Sequence, residues 1–461
     1  MPTDAFFAEL THALAERARA QRQPSLSVAA ALGGEVVWSA AIGDANPLGK
    51  RARKPTATTR YRIASITKPQ VAVAVLALVE AGTIDLGAPM RSYLPDAPAG
   101  GATVAQFLSH TSGLVAEIDG PWWERAGGCT WDEIVAMDLP QVCPPGITHH
   151  YSNLGYAVLG RLLEVVHDKP WDQVLDEVVW QPLGMRQTAR TPGRSHAQGV
   201  AVHPLQPLVH AEPVNPYLAM APAGELWSTP SDLVVLGSFL AGVGQGRGVL
   251  RPDTLALMRH PAALVTTEGQ PWTSGYGLGL RVQNIDGVVQ VMHTGSVPGF
   301  TAHLVLDPRT GASMAVCGNS TAWNGGASDW LQALALLAPL AISSPGSPLS
   351  QQPALPDGIR ALTGLWYRGP RPFLVKVLGG EVVVHPTDAP GLASHVRPDG
   401  DGRLVGTSED LAFGEELRID PEHPDDPRWF ILAGLHHTRE PYDPDAMVPG
   451  GVDEQGWRQL R

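Results

Sequence analysis

Apolar positions alternate along both ends of the first 342 residues and recur at helical spacing between them. Residues 4–22 read as an amphipathic helix. LSVAAAL and EVVWSAAIG flank Gly33-Gly34 and predict a hairpin. Strand patterns return far downstream. GYGLGLRVQ and VVQVMH flank Asp286-Gly287, and TAHLVLD and SMAVCGN flank the turn Pro308-Arg309-Thr310-Gly311. Residues 328–342 read as a helix. From about 65 to 260, helix and loop patterns dominate. A sheet assembled from both ends of a domain around a long helical insertion is an α+β layered arrangement.

Residues 343–358 are rich in Ser and Pro and read as a linker. Beyond them, FLVKVL, EVVVH and WFILAGL, separated by frequent turns such as Gly379-Gly380, predict a small antiparallel sheet or barrel. The expected organisation is a large domain over 1–342, a linker over 343–358 and a β domain over 359–461. The linker further predicts that residues 1–345 fold on their own. No internal repeat is visible.

Charge narrows the partners. The 461 residues carry a formal charge of −12. Residues 358–461 hold 17 acidic against 11 basic side chains. Nucleic acid and anionic membrane surfaces both need a basic face, so neither is an expected partner. The apolar stretch Val71–Val79 is too short for a membrane span, which needs about 20 residues. Trp330–Ile342 is interrupted by Gln332 and Pro339. The first residues carry Asp4, Glu9 and Glu16 and lack a secretory leader's basic and apolar regions. Cys129, Cys143 and Cys317 fit no metal-ligand spacing and read as reduced thiols, so a cytoplasmic location is expected. His149-His150 and His436-His437 are adjacent pairs whose side chains would face opposite ways in a strand, and no H-E-x-x-H occurs; no metal site is expected.

Three short elements carry candidate chemistry. The first is Ala64-Ser65-Ile66-Thr67-Lys68-Pro69, ahead of an apolar run that ends near Gly82. Ser65 stands where a helix N-cap belongs, and Pro69 fits only a first turn. The run is apolar all round, so the helix should be buried. Ser65 and Lys68 share a helix face. A serine hydroxyl needs a base, and a lysine amine is a base only when neutral. Free lysine titrates near ~10.4, so burial and the helix dipole must lower it by roughly three units, about 4 kcal/mol. The chain uses 28 arginines and five lysines, and only Lys68 has a serine three residues before it. Arginine would hold charge equally well but could not deprotonate. Taken alone, the tetrapeptide fits a capping serine and a solvated lysine better.

The second element is Tyr151-Ser152-Asn153, the sole Y-x-N in the chain. Tyr151 could relay a proton to a leaving group, and the Asn153 amide could bridge lysine and substrate. Otherwise Tyr151 packs and Asn153 caps the helix LGYAVLGRLLEVV. The third is His293-Thr294-Gly295-Ser296, at the end of the strand VVQVMH. Gly295 permits close backbone approach, a substrate could lie along that edge as an added strand, and the Ser296 and Ser65 amides could form an oxyanion hole. Gly275–Gly279 opens no helix and is no dinucleotide fingerprint. The chain lacks a G-x-S-x-G elbow. Trp122, Trp123 and Trp131 read as packing residues rather than pocket lining.

In this order the S-x-x-K, Y-x-N and H-T-G elements resemble those of serine β-lactamases and penicillin-binding proteins. The spacing is similar to the class C β-lactamase branch and its esterase and D-aminopeptidase relatives. Ser109-His110-Thr111-Ser112-Gly113-Leu114, PAGELWSTPSDL at 222–233 and Gly295-Ser296-Val297-Pro298-Gly299-Phe300 agree. The resemblance covers residues 4–342 and implies a β-lactamase/transpeptidase-like catalytic domain. It implies Ser65 as the acylated serine, with Lys68 and Tyr151 handling protons. Asn153 would contact a substrate amide, and His293, Thr294 and Gly295 would form the third motif. The reaction would be acyl transfer and hydrolysis of a small-molecule ester, amide or peptide, with no cofactor. His293 stands where β-lactamases have a lysine that holds the drug's carboxylate. A histidine titrating near ~6.5 is mostly neutral at pH 7.5, so a poor penicillinase and a better esterase or amidase is expected. The other readings are a D-aminopeptidase or D-amino acid amidase, a weak β-lactamase, and a catalytically silent binder of peptidoglycan-like ligands. The oligomeric state is left open.

Overall fold

The computed structural model describes residues 4–322 and 359–459 apart from positions 245, 247, 266–271, 286–287, 379–380, 389–392, 400–402, 408–410, 424–425, 444–445, 447 and 454. The helix expected at 328–342, the linker at 343–358 and the turns at 286–287 and 379–380 lie outside the described residues.

The first domain is built on an eight-stranded antiparallel sheet. Its strands are β1 (Ser25–Leu32), β2 (Glu35–Gly43), β3 (Ala263–Val265), β4 (Ser274–Tyr276), β5 (Arg281–Ile285), β6 (Val288–Val297), β7 (Phe300–Asp307) and β8 (Ala312–Gly318). Their spatial order is β2-β1-β8-β7-β6-β5-β4-β3, so the two ends of the domain meet where β1 pairs with β8. Side chains of a strand alternate between faces. Val28 and Ala30 of β1 join Leu14 and Ala18 of helix α1 (Asp4–Ala20) in one core. Ala29 and Ala31 join the main core on the opposite face. That alternation is why β1 is buried on both faces.

Helix α2 (Thr67–Glu80) runs through the main core, and Val71–Leu76 are fully buried. It packs against α3 (Asn153–His167). Gly160 lets α3 approach closely, since a Cβ there would sit 2.1 Å from Pro222. The turn Ala221–Ala223 is thereby pressed toward the start of α2. Helix α4 (Pro230–Ala241) lies on the sheet, with Gly237 against Ser313 and Leu304. The insertion is not wholly helix and loop. Tyr61–Arg62 pairs with Trp227–Ser228, and Val200–Val202 pairs with Leu208–Ala211.

The C-terminal part holds a second eight-stranded antiparallel sheet, spanning Gly364–Arg368 to Leu435–Thr438. Trp366 lies fully buried in its core, edge-on to Phe430 with ring centroids 4.8 Å apart. Its ends approach each other through the bridge between Val405 and Glu416, which curls it into a barrel-like shape. The chain then returns to the first domain, where Arg458–Gln459 pairs with Leu208 and Val209. Buried Arg125 donates to Glu212 and to the carbonyls of Pro449 and Gly451 at 3.0, 3.0 and 2.8 Å. Among the described residues no helix is long and apolar enough to cross a membrane.

Candidate active site

The start of α2 differs from the expectation in a useful way. The α-helix begins at Thr67, and Ser65 sits before it in a 3-10 turn, Ala64–Ile66. Ser65 is therefore not the N-cap; that place falls to Ile66, which makes no side-chain cap bond. The hydroxyl is left free for other partners. Ala64 adopts a left-handed backbone, φ 48°, unusual for a non-glycine residue and of the kind that collects at functional sites. Gly224 closes on this turn, its Cβ direction 3.4 Å from the Ala64 carbonyl carbon.

Lys68 is fully buried, and its amine has three polar neighbours. Nζ lies 3.0 Å from Ser65 Oγ, 2.7 Å from Asn153 Oδ1 and 2.7 Å from the Ala223 carbonyl. A neutral amine has two hydrogens and one lone pair. Asn153 and Ala223 are acceptors and use the two hydrogens; the lone pair remains for the Ser65 hydroxyl proton. Burial pushes the amine down to about 7, against the pull of the Glu117 and Glu124 carboxylates. Tyr151 hydrogen-bonds the Ser65 side chain, and burial holds its phenol well above the ordinary range. Its ring stacks on His110 at 4.1 Å.

Asn153 is not a helix cap. Ser152 takes that role, its hydroxyl accepting from the Gly155 amide at 3.0 Å. The cap at Ser152 frees the Asn153 side chain, whose amide reaches Lys68 on one side and Glu117 Oε1, at 2.6 Å, on the other. Trp123 Nε1 donates to Glu117 Oε2 at 2.6 Å. Burial raises Glu117 to about 8, although these two N–H donors oppose the shift. A line of Lys68, Asn153, Glu117 and Trp123 thus runs inward from Ser65. Trp123 also packs edge-on to Tyr217.

The third element does not end a strand, since β6 continues through it to Val297. Beyond Met292, β6 pairs with β7 but leaves its β5 side unpaired among the described residues. Gly295 lies against the turn that carries Ser65, where a Cβ would stand 2.1 Å from the Ile63 carbonyl oxygen. Ser296 is exposed and Thr294 half-buried, at the open end of the site. His293 departs from the expectation. It is buried, and both its ring nitrogens are engaged: Nε2 lies 2.6 Å from the Tyr276 hydroxyl and Nδ1 2.7 Å from the Thr294 carbonyl. The carbonyl can only accept, so Nδ1 carries the proton and Nε2 accepts from Tyr276. Burial, with Lys68 nearby, lowers His293 to about 3. It is neutral across the working range rather than titrating near 6.5.

Ser65, Lys68, Tyr151 and Asn153 are thus brought into one bonded cluster. His293, Thr294, Gly295 and Ser296 form the neighbouring strand, with the His293 ring turned to Tyr276. Glu117 and Tyr276 escaped the sequence reading. Each stood beside a quoted phrase, Glu117 three residues after Leu114 and Tyr276 inside the Gly-rich strand. His149 stacks on Tyr276 while His150 faces Glu415, so the adjacent pair diverges. Among the described residues no group of three or more His, Cys, Asp or Glu is placed to hold a metal ion.

A protein-family model described as Beta-lactamase matches residues 10–338, and one described as a domain of unknown function matches 355–439. Penicillin-binding protein 4 of Amycolatopsis lactamdurans is 28% identical over 279 residues, 57% of this chain and 73% of that protein. Esterase EstB of Burkholderia gladioli is 33% identical over 202 residues, 40% of this chain and 50% of its own length. The crystal structure of SurE superposes with a TM-score of 0.63 at 24% identity, covering 94% of this chain and 98% of that one. That likeness extends over both sheets.

Proposed function

The chain belongs to the Beta-lactamase family and is a serine hydrolase, and on that premise we propose that it cleaves a small ester or amide through an acyl-enzyme on Ser65. The observation that carries this reading is the amine of Lys68, buried between two acceptors with its remaining valence toward Ser65. Neutral Lys68 takes the Ser65 proton as Oγ attacks the acyl carbon. The Ser65 and Ser296 amides receive the developing oxyanion, a role supported by the close packing of β6 on the nucleophile's turn. Lys68, now charged, returns its proton through Tyr151 to the leaving group. An ester on Ser65 remains. Water then attacks it with the same groups acting in reverse, releasing the acid and restoring Ser65.

Substrate binding is assigned to the unpaired edge of β6 at Thr294, Gly295 and Ser296, with Asn153 contacting a substrate amide. His293 acts there through Tyr276 and the Thr294 carbonyl rather than by its own charge. The absence of a cation at this position favours esters and amides that lack an essential carboxylate. Catalysis is assigned to residues 1–342, with residues 359–461 as the β domain. The three free cysteines support a cytoplasmic location. The test is peptide mapping after a fluorophosphonate or β-lactam probe. An adduct at Ser65 is expected, and labelling at another serine would overturn the assignment.

A further inference from the structure

We propose that Glu415, carried by the C-terminal sheet, is a positioning residue of the active site: it holds the Ala116 peptide, and through it the Asn153 side chain, while its neighbour Phe413 packs beside His150, next to Tyr151. The inference rests on the function proposed above.

Glu415 lies in the segment 411–417, which follows the strand Leu404–Gly406 in sequence. That segment is tied to the strand on both sides of Glu415, by Gly414 N–H to the Gly406 carbonyl at 2.9 Å and Leu417 N–H to the Leu404 carbonyl at 2.7 Å. It reaches into the first domain. Gly414 has φ 72°, and its Cβ direction ends 2.6 Å from Val142 Cβ, so neither the turn nor the approach admits a larger residue. Phe413 lies beside the His150 ring, with centroids 6.2 Å apart.

The Glu415 carboxylate meets two catalytic loops at once. Its Oε1 accepts from the Ala116 N–H at 2.8 Å and lies 3.3 Å from His150 Nε2. The carbonyl of Ala116 in turn accepts from the Asn153 and Leu154 amides at 2.9 and 3.3 Å. The Ala116 residue is therefore held between Glu415 and the first turn of α3. Its neighbour Glu117 grips the Asn153 side chain, and His150 directly precedes Tyr151. A carboxylate that only joined two domains would not need to land between the residues that orient the base's partner and the phenol. Buried amides are almost always paired, and Glu415 supplies the pairing for Ala116.

The experiment compares full-length wild type with Glu415→Ala, Glu415→Gln and Phe413→Ala. Each is assayed for p-nitrophenyl acetate turnover, melting temperature and fluorophosphonate labelling of Ser65. Glu415→Ala is expected to lower kcat by about tenfold to a hundredfold with KM within about twofold, because misplacement acts on the reacting geometry. Glu415→Gln is expected to recover most of kcat, since its amide oxygen can accept from Ala116. Phe413→Ala loosens docking and should lower the melting temperature while keeping kcat. Wild-type kcat in Glu415→Ala overturns the inference. So does a loss of kcat that follows melting temperature equally in all three variants. If Glu415→Ala does not fold, Glu415→Asp replaces it; its carboxylate stops one methylene short of Ala116, so wild-type kcat there overturns the inference as well. Failure of wild type to label at Ser65 removes the proposed function instead. Normal labelling with unaltered turnover of the Glu415 variants removes this inference alone.

Discussion

Asn153 Oδ1 accepts a 2.7 Å hydrogen bond from Lys68 Nζ, so one amide fixes which way the base's hydrogens point. The same amide donates to Glu117 and cannot flip without facing a donor with a donor. The Lys68 amine, the proposed base, is thus oriented without a ligand.

Replacing Lys68 by arginine tests that orientation. The guanidinium stays charged at any working pH and has no lone pair to offer Ser65. We predict a fall in kcat of about a hundredfold to ten-thousandfold, the usual worth of a general base. Stopped assays with the variant, alongside circular dichroism for the fold, check it. Retention of most of the wild-type kcat would mean that Lys68 is a structural charge.

The pH profile follows from the same group. Lys68 acts as a base when neutral, so kcat/KM should rise with pH through about 7. Glu117 raises the amine's affinity for its proton. Glu117 is itself raised to about 8, so the two groups share a proton along this limb; Glu117→Gln takes one partner out of that pair, so the acid limb should move to lower pH. It also removes an anion that stabilises the ammonium formed during attack, so the plateau should fall. Because the two groups interact, the limb belongs to the pair. An unmoved limb in Glu117→Gln would show that Asn153 insulates the two.

Gly295→Ala addresses the seat of the nucleophile. A Cβ would stand 2.1 Å from the Ile63 oxygen and 3.0 Å from Ala64 Cβ. Backbone must shift on one side or the other, at about 1–3 kcal/mol of stability. The turn carrying Ser65 is one of the two sides. Slower Ser65 labelling and a lower melting temperature are expected together. A lower melting temperature with unchanged labelling would place the whole adjustment in β6.

Much of this site was legible in the sequence because its chemistry is local. Ser65 and Lys68 are one turn apart, and Tyr151 and Asn153 two residues apart, so each pair shows in the sequence, and it is the likeness of the whole set to a known family's motifs that singles them out. Which residue caps α3 was not legible: Ser152 and Asn153 both suit an N-cap, and only tertiary contacts choose Ser152. Glu117 and Tyr276 were missed for a related reason. A lone glutamate after a loop and a tyrosine in a Gly-rich strand gain meaning only when folding brings Asn153 and His293 to them. The sheet's two-ended assembly was readable from strand patterns at both ends of the domain. The return of Arg458–Gln459 to the first domain was not, because two residues carry no period.

Buried histidines give the fold an acid weakness. Both ring nitrogens of His149 lack a hydrogen-bond partner, and burial lowers it to about 3. In the unfolded chain it titrates near ~6.5. Below that pH the unfolded state binds a proton that the native state refuses, so stability falls as pH falls from about 6.5 toward 3. His149→Phe keeps the stacked ring and removes the titration. Its stability relative to wild type should grow by about 2 kcal/mol between pH 8 and pH 5. Urea unfolding at the two pH values measures it, and a constant difference would mean His149 is solvated in the folded protein.

By its resemblance to serine β-lactamases, the chain carries His293 where a lysine would hold a substrate's carboxylate. A histidine that titrated near neutrality would regain such an ion pair at pH 6 and lose it by pH 8. The Tyr276 hydroxyl at Nε2 and the Thr294 carbonyl at Nδ1 leave no nitrogen free, and burial lowers the ring to about 3. His293 is therefore uncharged at both pH values. Lys68 ionisation affects every substrate alike and cancels in a ratio of kcat/KM values. The ratio for nitrocefin over p-nitrophenyl acetate should thus stay flat from pH 6 to pH 8. Tyr276→Phe leaves Nε2 buried without its donor and releases the tautomer. In that variant kcat should fall for both substrates, because the Thr294 carbonyl on the substrate-binding edge is no longer held by a fixed Nδ1–H. A wild-type ratio that climbs steeply toward pH 6 would show that His293 does meet a carboxylate as a cation, and the reading of its two hydrogen bonds would be wrong.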